Sequence, residues 1–229
     1  MSRPLLSVVV PLLNERPLLD EVLAEVAHWQ ARYPAVEWLF VDGGSRDGSR
    51  QCLQSAEVTL LDSLPGRARQ MNAGAAQAAG QWLLFLHVDT QLNAAAIDAL
   101  LALCQREKTG WGRFDVRLQG RPAMLRVVAR MMNWRSRLTG IATGDMGIFV
   151  QRDLFAEIAG YTEQPLMEDI EISKRLRRER WPHCLPQRIT SSGRRWESRG
   201  VWSTIALMWR LRLQYFLGTP AEQIARRYR

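Results

Sequence analysis

Three apolar runs in this chain stop abruptly at polar clusters, and that pattern constrains the fold more than any other feature. The runs are LLSVVVPLLNE (Leu5 to Glu15), WLFVDGGSRDGS (Trp38 to Ser49) and WLLFLHVDT (Trp82 to Thr90). Each reads as a buried strand that gives way to carboxylates, Asn or Gly. Between them lie stretches of helical spacing, such as Leu19, Val22, Leu23 and Val26 within Leu18 to Trp29. Strands alternating with helices imply a parallel sheet, and an open parallel sheet binds ligands at the carboxyl ends of its strands. Asn14, Glu15, Asp42, Asp47 and Asp89 are therefore expected to face one crevice.

The alternation runs to about residue 105. It predicts a short helix near Arg46 to Ala56, a strand at Val58 to Leu61, an Ala-rich helix at Gly66 to Ala79, a strand at Gln81 to Leu86 and a helix at Ala94 to Gln105. After Gly110 the pattern loosens. A strand at Arg113 to Leu118 leads into a basic amphipathic helix from Pro122 to Leu138, with proline at a favoured N-terminal position. A strand at Gly147 to Val150, a charged helix at Glu168 to Glu179 and an apolar helix at Val201 to Leu217 follow. The 229 residues read as one domain: residues 1–110 as a nucleotide-binding half, 111–200 as a mixed acceptor-side half, and 201–229 as a helical segment.

Charge separates the halves. Residues 1–120 carry 11 Arg and Lys against 13 Asp and Glu, whereas 121–229 carry 20 against 10. An excess of this kind suits an anionic partner, whether a nucleotide diphosphate, nucleic acid or an acidic membrane surface, and it also simply aids solubility. Cys52, Cys104 and Cys184 have no metal-ligand spacing and read as reduced thiols, which suggests the cytoplasm. The first apolar stretch has little basic flank and runs straight into Asn14, so no signal peptide is expected. No stretch approaches the roughly 18 apolar residues of a membrane span.

Two common nucleotide-binding designs are disfavoured. PLLNE stands where a dinucleotide-binding GxGxxG would follow the first strand, and no GxxxxGK[ST] phosphate loop occurs. What remains is a crevice of carboxylates and arginines. Asp42 could accept from a base imide or a ribose hydroxyl, and Asp89 could ligate a divalent cation. Each residue also has a plainer reading: Asp42 and Asp47 as turn formers, Asp47 as a helix cap, Asn14 and Glu15 as caps of the first helix, and Glu168 and Asp169 as acids favoured at a helix start.

Taken in order, VVVPLLNE, VDGGSRDGS, GRARQMNAGA (Gly66 to Ala75), LHVDT, GDMGIFV (Gly144 to Val150) and MEDIEISKRL (Met167 to Leu176) resemble glycosyltransferase family 2. Its members are inverting enzymes of the GT-A fold that use nucleotide-diphosphate sugars. The arrangement is similar to a bacterial subgroup associated with radical-SAM and selenium-related genes. The resemblance implies an α/β domain with a mainly parallel central sheet and a mixed acceptor-side half. It also implies that Pro11, Asn14, Glu15 and Asp42 line the nucleoside pocket, that Arg67 approaches the donor, and that Asp89 holds Mn2+ or Mg2+ at the diphosphate. Asp169 would be the catalytic base, with Glu168 orienting or binding the acceptor. Gly144 and Asp145 would touch the acceptor, and Arg195 and Trp196 would close over the diphosphate and acceptor. Where the family has DxD, this chain has His87-Val88-Asp89, so the resemblance makes His87 the candidate second ligand. A base needing a carboxylate acceptor for its imide favours a uridine donor.

Two rival readings belong to other classes. A non-enzymatic binder of nucleic acid or anionic membrane would explain the basic half, but no nucleic-acid motif accompanies the charge, so no nucleic-acid partner is expected. A nucleotidyltransferase would advertise a Gly-rich basic signature near its first strand, and none is present. Trp202, Ile205, Trp209, Leu213 and Phe216 form one helical stripe, expected in the core or an oligomer contact and alternatively at a membrane surface with Arg226, Arg227 and Arg229. The acceptor on that last reading is lipid-linked or amphiphilic.

Overall fold

The computed structural model describes residues 3–228, apart from the side chains of Arg195, Ser198, Arg199 and Tyr228. Arg229 lies outside the described residues. The first half alternates as the sequence predicts: β1 (Leu6–Leu12), α1 (Arg16–Arg32), β2 (Val36–Asp42), α2 (Ser49–Gln54), β3 (Thr59–Asp62), α3 (Arg67–Gln77), β4 (Trp82–Phe85), the short β5 (Thr90–Gln91) and α4 (Ala94–Arg106). The second half contains β6 (Trp111–Gln119), α5 (Met124–Thr139), a 3-10 turn at Gly144–Met146, β7 (Ile148–Gln151), α6 (Arg152–Glu157), α7 (Glu168–Glu179), β8 (His183–Ser192), α8 (Arg194–Arg199), α9 (Val201–Phe216) and α10 (Ala221–Tyr228).

One sheet joins them in the order β3-β2-β1-β4-β7-β6-β8-β5. β1 pairs parallel with β2 and β4, and β2 parallel with β3, so these strands end at one edge. β7 is antiparallel to β4, with Ile148 opposite Phe85. The strand that enters the sheet at Ile148 therefore starts at the edge where β4 stops. That reversal brings the Gly144–Met146 turn, ahead of β7, beside the polar residues that follow β4.

Both faces of the sheet are covered. Val8, Val10, Leu12 and Phe40 pack with Leu19, Val26, Ile97 and Leu100 of α1 and α4, while Val9, Val41, Leu83 and Phe85 pack with Ala68, Met71 and Ala75 of α3 and Leu154 of α6. Unbroken apolar runs such as VVVPL (Val8 to Leu12) result because both pleat faces need apolar side chains. Each fully buried side chain of this size contributes about 1.5–3 kcal/mol. Pro11 is tolerated within β1 for a local reason. Val9 O accepts from Leu86 N (3.0 Å) on the β4 side, and two residues on, Pro11 faces the same side after β4 has ended. Its missing N–H therefore removes no ladder bond.

Gly74 sets how closely α3 lies on the sheet. A Cβ there would come within 2.3 Å of Val9 Cγ1 and 3.0 Å of Val41 Cγ2. Gln70, one turn earlier, donates from Nε2 to Leu12 O (2.6 Å) and Val41 O (2.8 Å) and so clamps the ends of β1 and β2 together.

Two expectations need correction. The stripe on α9 does not pack into this chain's core: Trp202 and Trp209 are 71% exposed and Phe216 79%, and the buried residues of the helix are Thr204 and Leu211. No strand is expected from the sequence over His183–Ser192, yet the ten-residue β8 forms there and runs parallel to β6 from Gly112↔His183 to Gln119↔Ser192, with a shift between Phe114 and Asp115.

Candidate active site

The two loops that leave β1 and β2 are laced together by their polar side chains. Asn14 adopts a left-handed conformation (φ 56°), which Asn tolerates better than most residues. Its N–H donates to Ser45 Oγ (2.8 Å), and its Oδ1 accepts from Arg46 N (2.8 Å). Asp42 is 1% exposed and accepts from Gly44 N (3.1 Å), Ser45 N (3.0 Å) and Ser45 Oγ (2.5 Å). Asp47 accepts from Arg16 N (2.9 Å), the first residue of α1, and from Ser49 Oγ (2.6 Å). It thus satisfies a helix-start N–H from across the crevice. These contacts hold the loops whether or not a ligand is present, and a nucleobase reaching Asp42 must share it with the turn.

Next along the edge, Arg194 Nη2 lies 3.4 Å from Asp89 Oδ2 and 3.6 Å from Glu15 Oε2. Glu15 has its carboxyl raised above the usual range, first by burial; Arg194 opposes that shift, Asp89 adds to it and Arg67 opposes it more weakly. Glu15, Asp89, Arg67 and Arg194 therefore share one electrostatic neighbourhood. Sequence reasoning selected Arg195 from the Arg194-Arg195 pair. The contact belongs to Arg194, and the side chain of Arg195 lies outside the described residues. Trp196 packs with Val116, Leu118, Leu125, Ala129 and Met146, beneath α5.

The third part of the edge is built around the turn before β7. Gly144 N–H donates to Asp169 Oδ2 (3.1 Å), and Asp169 Oδ1 accepts from Ile170 N (2.7 Å). His87 Nδ1 stands 3.6 Å from Asp145 Oδ1, and a Cβ on Gly144 would meet His87 Nε2 at 2.4 Å. Only glycine lets the ring lie there, and both ring nitrogens face the turn. Ser191 Oγ also reaches Asp145 Oδ1 (3.4 Å), which links β8 to the same turn. Glu168, at the start of α7, is 7% exposed, and burial followed by the neighbouring Asp169 raises its carboxyl, against weaker opposition from Arg67 and His87. It follows Met167, held left-handed at φ 66°, a conformation that costs a non-glycine residue energy and marks an over-determined backbone.

For a divalent cation the donor set offers Asp89, with Glu15 beside it. Among the described residues no cluster of three or more His, Cys, Asp or Glu side chains is arranged to hold a metal. A hard cation bound through one or two carboxylates and substrate phosphates suits such a site. His87 lies against Gly144 and Asp145.

The sheet order, the β7 reversal and the polar edge are those of the GT-A fold. A mannosyltransferase from Pyrobaculum calidifontis, solved with GDP-Man and Mn2+, superposes with a TM-score of 0.62 at 20% identity, covering 83% of this chain and 57% of the other. S. aureus TarS 1–349 in complex with UDP gives 0.66 at 16% identity, covering 82% and 60%. The chain belongs to glycosyl transferase family 2, whose profile matches residues 7–157. Undecaprenyl-phosphate 4-deoxy-4-formamido-L-arabinose transferases from Pseudomonas savastanoi pv. phaseolicola and Pseudomonas fluorescens are each 30% identical to it, over 158 and 156 residues. Those alignments cover 63% of this chain but only 46% and 45% of the relatives, so the chain spans less than half their length. The family match ends at Glu157, before the helix that carries Glu168 and Asp169.

Proposed function

We propose that the protein transfers a sugar from a nucleotide-diphosphate donor to an acceptor by direct displacement, with inversion at the anomeric carbon. The observation that carries this reading is the convergence of Glu15, Asp89, Arg194, Asp145 and Asp169 on one edge of a family 2 sheet. The loops of Asn14 and Asp42, with Pro11 behind them, form the nucleoside side, and Arg67 and Arg194 face the diphosphate. Asp42 makes uridine the favoured base, because a carboxylate accepts from an imide N–H. A divalent cation at Asp89, when bound, neutralises charge developing on the departing diphosphate. Asp169 is the base: a sugar hydroxyl is a weak nucleophile until a positioned carboxylate takes its proton. Gly144 N–H fixes that carboxylate, and His87 and Asp145 position the turn that supplies it. Glu168 orients the acceptor. Placement in the subgroup associated with radical-SAM genes rests on the order of the motifs alone.

The relatives' names support a lipid-borne acceptor, and the surface supports the setting. Val127, Met131, Trp134 and Leu138 make one exposed stripe on α5, and Trp202, Trp209, Leu213 and Phe216 another on α9. The two helices carry six arginines and no acid. A basic helix with apolar rings on one face suits an anionic bilayer surface. No helix of the described residues is long and apolar enough to cross a membrane.

The decisive experiment is a thermal-shift panel of nucleoside diphosphates and their sugars with and without Mn2+, followed by NMR of the product anomer. Stabilisation by a uridine nucleotide and an anomer opposite to the donor's are expected. No stabilisation by any nucleotide, or a retained anomer, overturns the reading.

A further inference from the structure

Arg135 of α5 and Arg212 of α9 come from different helices, yet the charge of Asp169 acts on both. Arg135 Nε and Nη2 are buried without a hydrogen-bond partner among the described residues. Thr143 Oγ1, beside the Gly144 turn that holds Asp169, is buried and partnerless as well. Leu211, the neighbour of Arg212, packs with Met167 and Ile170 at the start of α7, which fixes α9 against the helix that bears Asp169. Burial pushes the Arg135 guanidinium down to about 10, and Arg212 pushes the same way while Asp169 opposes. Burial lowers Arg212 too, opposed by Asp169 and Asp145. A guanidinium with unmet donors beside a like charge is costly inside a protein, because a buried donor left unpaired costs its desolvation. The one carboxylate they share is already taken up by Gly144 and Ile170 N–H groups.

We infer that Arg135 and Arg212, with the Thr143 hydroxyl, form an oxyanion subsite that seats a phosphate group of the acceptor beside Asp169. The inference rests on the transferase reading and adds the acceptor's chemistry to it. A planar guanidinium presents paired N–H donors that match phosphate oxygens, and α5 and α9 are also the helices whose outer faces are apolar. Arg194, Asp89 and Glu15 handle the donor diphosphate at a separate point of the edge.

The test separates the two anions. With UDP and Mn2+ saturating, hexyl phosphate is titrated by calorimetry into the wild type, Arg135→Gln, Arg135→Lys, Arg212→Gln and the surface control Arg106→Gln. Parallel flotation uses phosphatidylcholine vesicles with and without phosphatidic acid. Hexyl phosphate is expected to bind the wild type, with affinity falling about tenfold or more in either Gln variant as a charge-assisted bond is lost. Arg135→Lys keeps charge but not the fork and falls between. UDP affinity stays within about twofold throughout, the scale of an unaltered site. Added phosphatidic acid strengthening flotation through the same two arginines identifies a lipid-borne phosphate, and soluble binding without that effect identifies a free one; either upholds the subsite. Hexyl phosphate affinity that is absent, or unchanged in both Gln variants, overturns it. So does a parallel loss of UDP affinity, which would give the pair to the donor. Failure of the wild type to bind any nucleotide sinks the transferase reading instead, and the phosphate titration repeated without UDP still reports on the subsite.

Discussion

The loops that follow β1 and β2 and the helices α5, α7 and α9 meet at one edge of the sheet but are finished to different degrees. Around Asn14, Asp42 and Asp47 the polar side chains already bond to backbone or to one another, so that region keeps its shape alone. On the other side Arg135 Nε and Nη2 and Thr143 Oγ1 are buried without hydrogen-bond partners among the described residues, Met167 is held in a left-handed conformation, and two helices expose tryptophans to solvent. On the proposed reading the first arrangement receives a rigid, recurrent group such as a nucleoside, and the second is completed by the acceptor. Variation in the acceptor can then be accommodated without disturbing the donor loops.

The sharpest way to break this comparison is Asp169→Asn. It keeps the shape and one of the two backbone hydrogen bonds, because the amide has a single accepting oxygen, while removing the base; turnover should fall on the order of 10²–10⁴-fold with nucleotide affinity retained. Near-normal turnover with the true acceptor would move the base to Glu168. Asp89→Asn should cost about two orders of magnitude in turnover, since metal stabilisation of a leaving group is worth several kcal/mol. It should also abolish the metal-dependent part of nucleotide binding, whereas His87→Ala should be milder because the ring serves the Gly144 turn. Activity fully resistant to EDTA would contradict the role of Asp89.

A smaller effect comes from Glu168. Its carboxyl titrates above the value it has in the unfolded chain, so the folded protein holds the extra proton and loses stability as pH rises from about 4.5 through the raised folded value. Glu168→Gln should therefore melt higher than the wild type at neutral pH, with the difference closing as pH falls toward 4.5, as followed by thermal denaturation. A difference independent of pH would show that burial of the carboxyl is not the cause. Smallest in stability are Trp134→Ser and Trp209→Ser: both side chains are exposed, so the unfolding free energy should change by no more than about 0.5 kcal/mol and Tm should barely move. Flotation on anionic vesicles should nevertheless weaken, and it should fall with salt and with Arg226→Gln and Arg227→Gln. Unchanged flotation would leave the exposed stripes to another surface.

The donor half was legible in the sequence because its strands are buried on both faces and end where their apolar runs end; β1, β2 and β4 and their polar caps all follow from that pattern. The helix Glu168–Glu179 also stands where its charge and spacing put it. β8 was missed because Pro186 interrupts a weakly alternating segment, and proline normally argues against a strand. The structure puts it at the register shift, where β6 passes from Leu185 to Arg188 and the proline has no ladder bond to give. Arg135 and Arg212 were invisible for a different reason: they are two among many arginines on amphipathic helices, and which of them turns inward depends on where α9 docks. Arg194 and Arg195 differ by one step of a short helix whose phase no periodicity announces.

The close seat of α3 on the sheet has a consequence for enzymology. Gly74 is the fulcrum of a rigid rod whose far end is Arg67, seven residues and about 10 Å away at the helical rise per residue. Gln70, midway, holds the tips of two strands. Adding one methyl at Gly74 forces α3 off Val9 and Val41, costing about 1–3 kcal/mol as overpacking does, and it swings the free end over the crevice. A substitution buried under the sheet, touching no ligand, would then read out as a change in KM for the donor, and a survey of residues around the cleft alone would overlook the pivot that aims it.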